Sequence, residues 1–316
     1  MNTPIKVGGF LTALAAVFAL ALGAGVRLGP DAKPATVANH DAHDAHGSGA
    51  TRVVANRAAD IPGGLMTSQN GYTLVLDGSA ATAGDDVAVR FTITGPDGVA
   101  VTDYEFAHEK QLHLIAVRRD FAGFQHVHPN LSPDGSWSTR LDLIPGQWRL
   151  FADFTATGAD ALTLGADLAV AGSYTPAEPA GEVRIARVDG YTVTLHGNLA
   201  AGTDAELTVS VERNGQPVAD LDPYLGAYGH LVALRVGDLA YLHVHPDGAS
   251  GDGTTEPGPE VVFYAAVPSV GTYHLYLDFK HQGVVRTAAF TVNTSGAAAS
   301  PTDISGDEPA DEHIGH

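Results

Sequence analysis

Apolar and polar residues alternate along many short segments of this chain, with turn residues between them. One face of such segments is formed by Val87, Val89, Phe91 and Ile93, by Trp137, Thr139, Leu141 and Leu143, by Trp148, Leu150, Ala152 and Phe154, by Leu207, Val209 and Val211, and by Tyr273, Leu275, Leu277 and Phe279. A period of two predicts β-strands with one buried face. Gly95-Pro-Asp-Gly98 predicts a turn, and Asn214-Gly215 predicts a hairpin between Val211 and Val218.

One stretch of sequence occurs twice in the chain. His113-Leu-Ile-Ala-Val-Arg, followed by His126-Val-His128-Pro, recurs as His230-Leu-Val-Ala-Leu-Arg, followed by His243-Val-His245-Pro, with the same spacing of 13 residues between the first two histidines. The segments that begin at Asn70-Gly71-Tyr72 and Asp189-Gly190-Tyr191 also match, as do those that end at Asp153-Phe154 and Asp278-Phe279. Each unit of about 110 residues is long enough to enclose its own core. The chain is therefore a tandem duplication.

These features predict an all-β protein with two tandem antiparallel β-sandwich domains of the immunoglobulin or cupredoxin type. The expected organisation is a signal anchor or transmembrane helix at 1–28, a flexible histidine-containing linker at 29–61, a first sandwich at 62–180, a second at 181–293, and an acidic, histidine-containing disordered tail at 294–316.

The amino-terminal apolar run predicts export. Val7 to Val26 contains no charge and is flanked by Lys6 and Arg27. About 20 apolar residues can cross a bilayer, and this exceeds the usual apolar core of a signal peptide. We expect an uncleaved membrane anchor with extracytoplasmic domains. A cleaved signal, which would give a secreted protein, is the alternative.

The composition of the chain limits which ligands and macromolecules it is expected to bind. Lys and Arg total 17 against 36 Asp and Glu, and a net charge of -19 disfavours nucleic acid and anionic lipid but attracts cations. Cysteine is absent and methionine occurs only at Met1 and Met66, so a bound metal ion would need imidazole, carboxylate or backbone oxygen ligands. Histidine tracts at His40-Asp-Ala-His43-Asp-Ala-His46 and at His313 to His316 are compatible with loose metal binding or with a solvated linker and tail.

The strongest candidate for chemistry is a set of three histidines in each repeat. A hairpin with its midpoint between Arg119 and Asp120 would place His113 opposite His126, with His128 on the same face. The same arithmetic, with the turn centred on Val236-Gly237, yields the second set, which is His230, His243 and His245. Three converging imidazoles are a common way to hold Cu(II) or Zn(II).

Three histidines leave the fourth ligand position of a four-coordinate metal ion to be filled. Asp153 and Asp278 occupy matching points on the closing strands, opposite the apolar face, and are candidates either for that ligand or for orienting a histidine ring. His108 and His281 are further candidates, although they do not correspond between the repeats.

Two other hypotheses remain open. In the first, the protein is a structural or adhesive pair of sandwiches and its histidines are packed or pH-sensing side chains. This hypothesis is open because His113 shares its strand face with the apolar residues Ile115 and Val117. A bicupin-like metal-dependent oxidoreductase would also use His-x-His on a strand, but the glutamate expected after it is missing in both repeats. Nucleophile-elbow and phosphate-loop motifs are absent from the sequence, so catalysis is disfavoured.

The segments His108 to Pro129 and Tyr224 to Leu234 resemble a group of membrane-anchored or secreted actinobacterial proteins, some of them labelled heavy-metal-binding. The resemblance covers about residues 65 to 292 and implies a metal association without a reaction. The likeness to cupredoxins is weaker, because aspartate occupies Asp153 and Asp278 where a blue-copper strand would carry cysteine. The sequence thus predicts a non-catalytic, extracytoplasmic protein that binds copper(II) or, as second choice, zinc(II).

Overall fold

The computed structural model describes residues 61–178, 181–242 and 244–294. Their regular secondary structure is entirely β-strand. The first repeat contains β1 (Ser68–Gln69), β2 (Tyr72–Leu76), β3 (Ala80–Thr82), β4 (Gly84–Thr94), β5 (Leu112–Arg118), β6 (Gln125–Val127), β7 (Asn130–Leu131), β8 (Ser136–Leu143), β9 (Gly146–Phe154) and β10 (Leu162–Ala171). The second repeat contains β11 (Ile185–Val188), β12 (Tyr191–His196), β13 (Asp204–Arg213), β14 (Gln216–Pro217), β15 (His230–Arg235), β16 (Tyr241–Leu242), β17 (Val244–Pro246), β18 (Glu260–Ala266), β19 (Thr272–His281) and β20 (Val284–Asn293).

Each repeat folds into two sheets that enclose a core. In the first repeat the sheets have the strand orders β1-β2-β4-β8-β7 and β3-β10-β9-β5-β6. In the second they are β11-β12-β13-β18-β17, with β14 paired to β13, and β16-β15-β19-β20. Pairing is antiparallel except between β3 and β10. The predicted all-β fold of tandem antiparallel sandwiches is confirmed.

The alternating segments bury the faces that the sequence predicts. Phe91 and Ile93 of β4 and Trp148 and Leu150 of β9 are fully buried and belong to one core. Trp137 stacks on Phe91 with ring centroids 6.3 Å apart. Aromatic and aliphatic side chains each contribute on the order of 2 kcal/mol when they leave water, so these faces hold the two sheets together.

Local turn chemistry also follows the sequence. The Asn-Gly and Asp-Gly pairs at Asn70-Gly71, Asp189-Gly190 and Asn214-Gly215 all take positive φ at both positions, as a type I′ hairpin turn requires. The predicted hairpin after β13 is present, and the amide of Val218 donates to the carbonyl of Val211 at 3.0 Å.

Strands β5 and β15 are buried on both faces, because the two repeats pack against each other within one compact unit. Leu114 faces its own sandwich core, whereas the alternate residues of β5 face the second repeat. The apolar residues at this contact, here called the inter-repeat cluster, are Ile115, Val117, Phe151, Val232, Leu234, Leu239, Tyr241 and Tyr276, with Phe121 and Phe124 partly buried beside them.

Corresponding residues of the two repeats make corresponding contacts in the inter-repeat cluster. Phe124 of the first repeat stacks on Tyr276 of the second at 3.8 Å between ring centroids, and Tyr276 donates its hydroxyl hydrogen to the carbonyl of Phe121 at 3.0 Å. The sequence counterparts of Phe124 and Tyr276 are Tyr241 and Phe151, whose rings also meet, at 5.8 Å. The two copies therefore contact each other through corresponding surfaces, as in an isologous dimer.

The predicted hairpin registers are wrong by two residues. Strand β5 places Ile115, not His113, across from His126, so the midpoint lies one residue later than predicted, between Asp120 and Phe121. Asp120 is held there by the Arg118 guanidinium at 2.7 Å, and Phe121 takes a φ of 68° with its ring stacked on His274. In the second repeat Ala233 pairs with Leu242, a shift in the same direction. A slip of two residues preserves the face, so His113 and His126 still share a surface.

No helix among the described residues is long and apolar enough to cross a membrane. The predicted anchor, the histidine tract at 40–46, His243 and the tail after Thr294 lie outside the described residues.

Candidate metal centre

His113, His126 and His128 form one group at the contact between the repeats. His113 projects from β5 and His126 from β6, while His128 follows β6 where the chain crosses to the opposite sheet at β7. One ligand atom from each ring lies within 4.8 Å of the other two. The Nδ1 atom of His113 lies 3.1 Å from Nε2 of His126 and 3.2 Å from Nε2 of His128. We call this group the histidine triad.

Two of the three rings are oriented by acceptors that cannot donate. The Nε2 atom of His113 lies 3.0 Å from the carbonyl oxygen of Ala107, so Nε2 carries the hydrogen and Nδ1 is bare. The Nδ1 atom of His126 lies 2.8 Å from a carboxylate oxygen of Asp278, so Nδ1 carries a hydrogen and Nε2 is directed at His113. Fixing the tautomer from behind in this way is the usual arrangement around a metal-binding imidazole.

Burial disfavours the charged form of two triad histidines, His113 and His128. Desolvation lowers the pKa of His113 to about 4, although the hydrogen bond to Ala107 opposes the shift. Desolvation likewise lowers the pKa of His128 to about 3, and the neighbouring His126 and His113 add to the shift. Neutral imidazole is the form that binds a metal ion, so both rings are ready to act as ligands at neutral pH.

The two predicted aspartates occupy equivalent positions. Asp153 is paired across the strands with His113, and Asp278 with His230. The Asp153 carboxylate accepts the Thr163 hydroxyl at 2.9 Å, and that of Asp278 accepts the Thr287 hydroxyl at 2.5 Å. With its second oxygen Asp278 binds the ring of His126. This contact orients the ring of His126, which is one of the two roles predicted for Asp278; its role toward a metal ion stays a prediction.

His230 of the second repeat lies against the triad of the first. Its ring centroid is 4.8 Å from that of His126 and 5.4 Å from that of His113. Desolvation, together with the surrounding histidines, holds the pKa of His230 well below its usual value. The sequence predicted this residue as part of a separate site, because contact between the repeats has no signature in either copy alone.

His108 and His281 lie in different surroundings. His108 is exposed on the turn between Ala107 and Lys110, with its ring 5.7 Å from that of His230. His281 is buried, its Nε2 atom donates to Asp220 at 3.1 Å and its Nδ1 atom accepts the Tyr191 hydroxyl at 2.7 Å. These partners account for both of its ring nitrogens.

The three histidines predicted for the second repeat do not form a described site. His230 lies on β15, whereas His245 is exposed on β17, which pairs with Tyr264 of β18 in the other sheet. His243 lies outside the described residues. Within the part of the chain that the structure describes, the triad is the one group of three potential ligands. A separate site in the second repeat stays a prediction.

Sequence reasoning missed one member of the site, which is the Ala107 carbonyl. Any residue type supplies a carbonyl, so only the position of the chain identifies it. The sequence offers a partial signal in the turn that follows Ala107, because the second repeat has Gly226 where the first has Glu109. In the structure His108 and Glu109 both take positive φ, at 48° and 65°. Non-glycine residues in this conformation are uncommon and are strained.

Comparison with known structures returns β-sandwich proteins of low similarity. The Escherichia coli adhesin FdeC is 15% identical over 72% of this chain and 65% of that chain, with a TM-score of 0.25. The adhesin InvE of Yersinia pseudotuberculosis is 12% identical over 72% of this chain and 60% of that chain, with a TM-score of 0.22. The chain spans less than two thirds of either adhesin. Similarity at this level says nothing about function.

No curated relative matches this chain. A family model described as a domain of unknown function, DUF8832, matches it twice, over residues 67–171 and 186–296. Each range covers one of the two repeats recognised from their histidine and closing-strand motifs. The chain belongs to the DUF8832 family and carries two copies of its domain.

Proposed function

We propose that this protein is a non-catalytic, extracytoplasmic metal-binding protein that holds copper(II) or zinc(II) in the histidine triad at the contact between its two domains. The observation that carries the proposal is the convergence of three ring nitrogens, with Nδ1 of His113 3.1 Å from Nε2 of His126 and 3.2 Å from Nε2 of His128. Nε2 of His113 is bound to the Ala107 carbonyl and Nδ1 of His126 to Asp278, so each ring directs its remaining nitrogen at the same point.

The spacing suits a metal ion. With nitrogen-to-metal distances of about 2.0 to 2.1 Å, two ligand nitrogens are about 3.3 Å apart at a tetrahedral angle and about 2.9 Å apart at a right angle. The observed separations of 3.1 and 3.2 Å fall between these values. Imidazole ligands without thiolate suit both ions, and the affinity order favours copper. The net charge of -19 attracts cations to the chain.

The proposed cellular setting is supported by the sequence. The apolar run Val7 to Val26 would anchor the chain or direct its secretion, which exposes the domains to extracytoplasmic metal ions. The histidine tracts at 40–46 and 313–316 would raise the local concentration of ions and pass them to the triad. Metal handling or metal resistance is the role that this arrangement suits.

The test uses the full-length chain with the histidines of both tracts replaced by alanine, here called the tract-free chain. We expect it to bind Cu(II) and Zn(II) with a rise in melting temperature, since a ligand at 100 times its Kd adds about 2.7 kcal/mol to the free energy of unfolding. His126→Ala with His128→Ala should abolish one equivalent. His196→Ala, which removes an exposed histidine of the second repeat, is the control and should change nothing.

Unchanged stoichiometry in the double variant would overturn the proposal. A separate variant with His243→Ala and His245→Ala addresses the second predicted site. Loss of a further equivalent in that variant would assign an ion to the second repeat as well.

A structural or adhesive function is the second candidate, and it is favoured by the inter-repeat cluster. The Phe124 and Tyr276 rings stack at 3.8 Å, and the contact between His126 and Asp278 joins the repeats without a metal ion. In that case the histidines serve to keep two sandwiches in a fixed arrangement. Tyr276→Ala would then loosen the repeats and split the unfolding transition, and Cu(II) or Zn(II) would not change the melting temperature of the tract-free chain.

A further inference from the structure

The ring of His230 lies about as close to two of the triad rings as the triad rings lie to one another. Within the triad, the centroid distances are 5.3 Å for His113 and His126, 5.0 Å for His113 and His128, and 4.9 Å for His126 and His128. His230 lies 4.8 Å from His126 and 5.4 Å from His113. His230 comes from the second repeat, whereas the three triad histidines come from the first.

These distances also fit imidazoles that share one ion, although the His230 ring now stacks parallel to that of His113. A ring bound at about 2.05 Å through nitrogen has its centroid about 3.2 Å from the metal, so two such rings at a tetrahedral angle have centroids about 5 Å apart. The five measured values lie between 4.8 and 5.4 Å. Three histidines from one repeat leave one position of a four-coordinate ion open, and His230 lies beside it.

We propose that His230 is the fourth ligand, so that a single ion is held by three histidines of the first repeat and one of the second. The nitrogens of His230 lie outside the group whose ligand atoms are all within 4.8 Å of one another, so a rotation of the His230 side chain toward the triad accompanies binding. The inference rests on the proposed function.

Two features of the second repeat support this assignment. The pairing of β15 with β19 places His230 opposite Asp278, the residue that orients His126, so both act on the ion from the same point of the second repeat. Ile115, Val232 and Tyr276 of the inter-repeat cluster hold β5 and β15 against each other next to the histidines. The fourth ligand is therefore delivered by a rigid contact and not by a mobile loop.

A shared ion would also tie the repeats together. A ligand that binds only when both repeats are in place stabilises their contact by its own binding free energy. Metal loading would then raise the stability of the association between the domains, beyond that of the first sandwich alone.

The experiment compares His230→Ala with His108→Ala in the tract-free chain, using Co(II) as the spectroscopic probe and Zn(II) in competition with a chelator. His108 is the matched control, because its ring also touches the cluster but is exposed and lies 6.1 Å from His113. We expect His230→Ala to weaken Zn(II) binding by a factor of about 10 to 100, a range like that seen when a partner of a ligand is lost. The strong absorption of four-coordinate Co(II) should fall, and added imidazole should restore it. His108→Ala should leave both readouts within about threefold.

The outcomes separate this inference from the proposed function. Loss of binding in the variant that lacks His126 and His128, with unchanged affinity and spectrum in His230→Ala, would overturn His230 as a ligand and leave the triad in place. If His108→Ala weakens Zn(II) binding and lowers the Co(II) absorption, and His230→Ala does not, the fourth ligand is His108 and the inference about His230 is overturned. No binding by the tract-free chain would overturn both. If His230→Ala does not fold, His230→Gln replaces it, with the same expected loss and the same imidazole rescue.

Discussion

Nδ1 of His126 in the first repeat donates its hydrogen to a carboxylate oxygen of Asp278 in the second, at 2.8 Å. Both side chains are almost completely buried, with 1% and 4% of their surface exposed. This contact fixes which nitrogen of His126 faces the triad, and it makes a candidate ligand of one domain depend on the other domain.

Replacement of that carboxylate should weaken metal binding. Asp278→Asn keeps the shape but removes the charge that raises the basicity of His126, so we expect the affinity of the tract-free chain for Zn(II) to fall by a factor of about 10 to 100. Competition with a chelator measures the change. Asp153→Asn is the matched control, since Asp153 occupies the same position of the other repeat and accepts the Thr163 hydroxyl. An equal loss in both variants would mean that overall negative charge, and not the orientation of His126, determines the affinity.

The metal-free protein should lose stability as the solution becomes acidic. The pKa of His113 is lowered to about 4 and that of His128 to about 3, whereas an unfolded histidine titrates near about 6.5. Below that pH the unfolded chain binds more protons than the folded one, so the free energy of unfolding falls with decreasing pH. The full contribution is present above about pH 6.5, and it is lost progressively toward pH 4 and below.

Urea unfolding between pH 7.5 and 5, with a chelator present, measures this dependence. His128→Ala removes one of the histidines with a lowered pKa and should flatten the curve. A free energy of unfolding that stays constant from pH 7 to 5 would contradict the assignment of neutral, desolvated rings.

The turn that carries His108 should be strained at Glu109. Glu109 takes a φ of 65°, and the second repeat has Gly226 at this position with a φ of 80°. Because glycine adopts positive φ without steric cost, Glu109→Gly should raise the free energy of unfolding by about 1 kcal/mol. Glu105→Gly, two residues before the turn, removes an exposed glutamate that is not among the residues with positive φ. It should lower the free energy of unfolding by about 0.5 to 1 kcal/mol. A loss of stability in both variants would show that the turn is relaxed.

Several elements could be predicted from the sequence because their causes are local. Val89, Phe91 and Ile93 alternate with polar residues, and this period is enough to assign a strand and its buried face. Asn214-Gly215 requires positive φ at both positions and predicts its hairpin. The same reasoning correctly placed His113 and His126 on one face, although it missed their register by two residues.

The register could not be predicted because the turn is shaped by partners that are distant in sequence. Phe121 stacks on His274, 153 positions later in the chain, with 4.1 Å between the ring centroids. This contact moves the midpoint of the hairpin by one residue and the pairing by two. A count of residues between histidines contains no information about such a contact.

The sequence by itself determined the duplication, the strand faces and the convergence of His113, His126 and His128, since each depends on the alternation of neighbouring residues or on internal repetition. Only the tertiary structure decided that His230 and Asp278 of the second repeat lie against that group. The reason is that burial of Ile115, Val117, Val232 and Leu234 between the repeats can be achieved by any arrangement that hides these apolar faces. The arrangement adopted depends on how two whole surfaces fit, and this complementarity emerges only after each domain has folded.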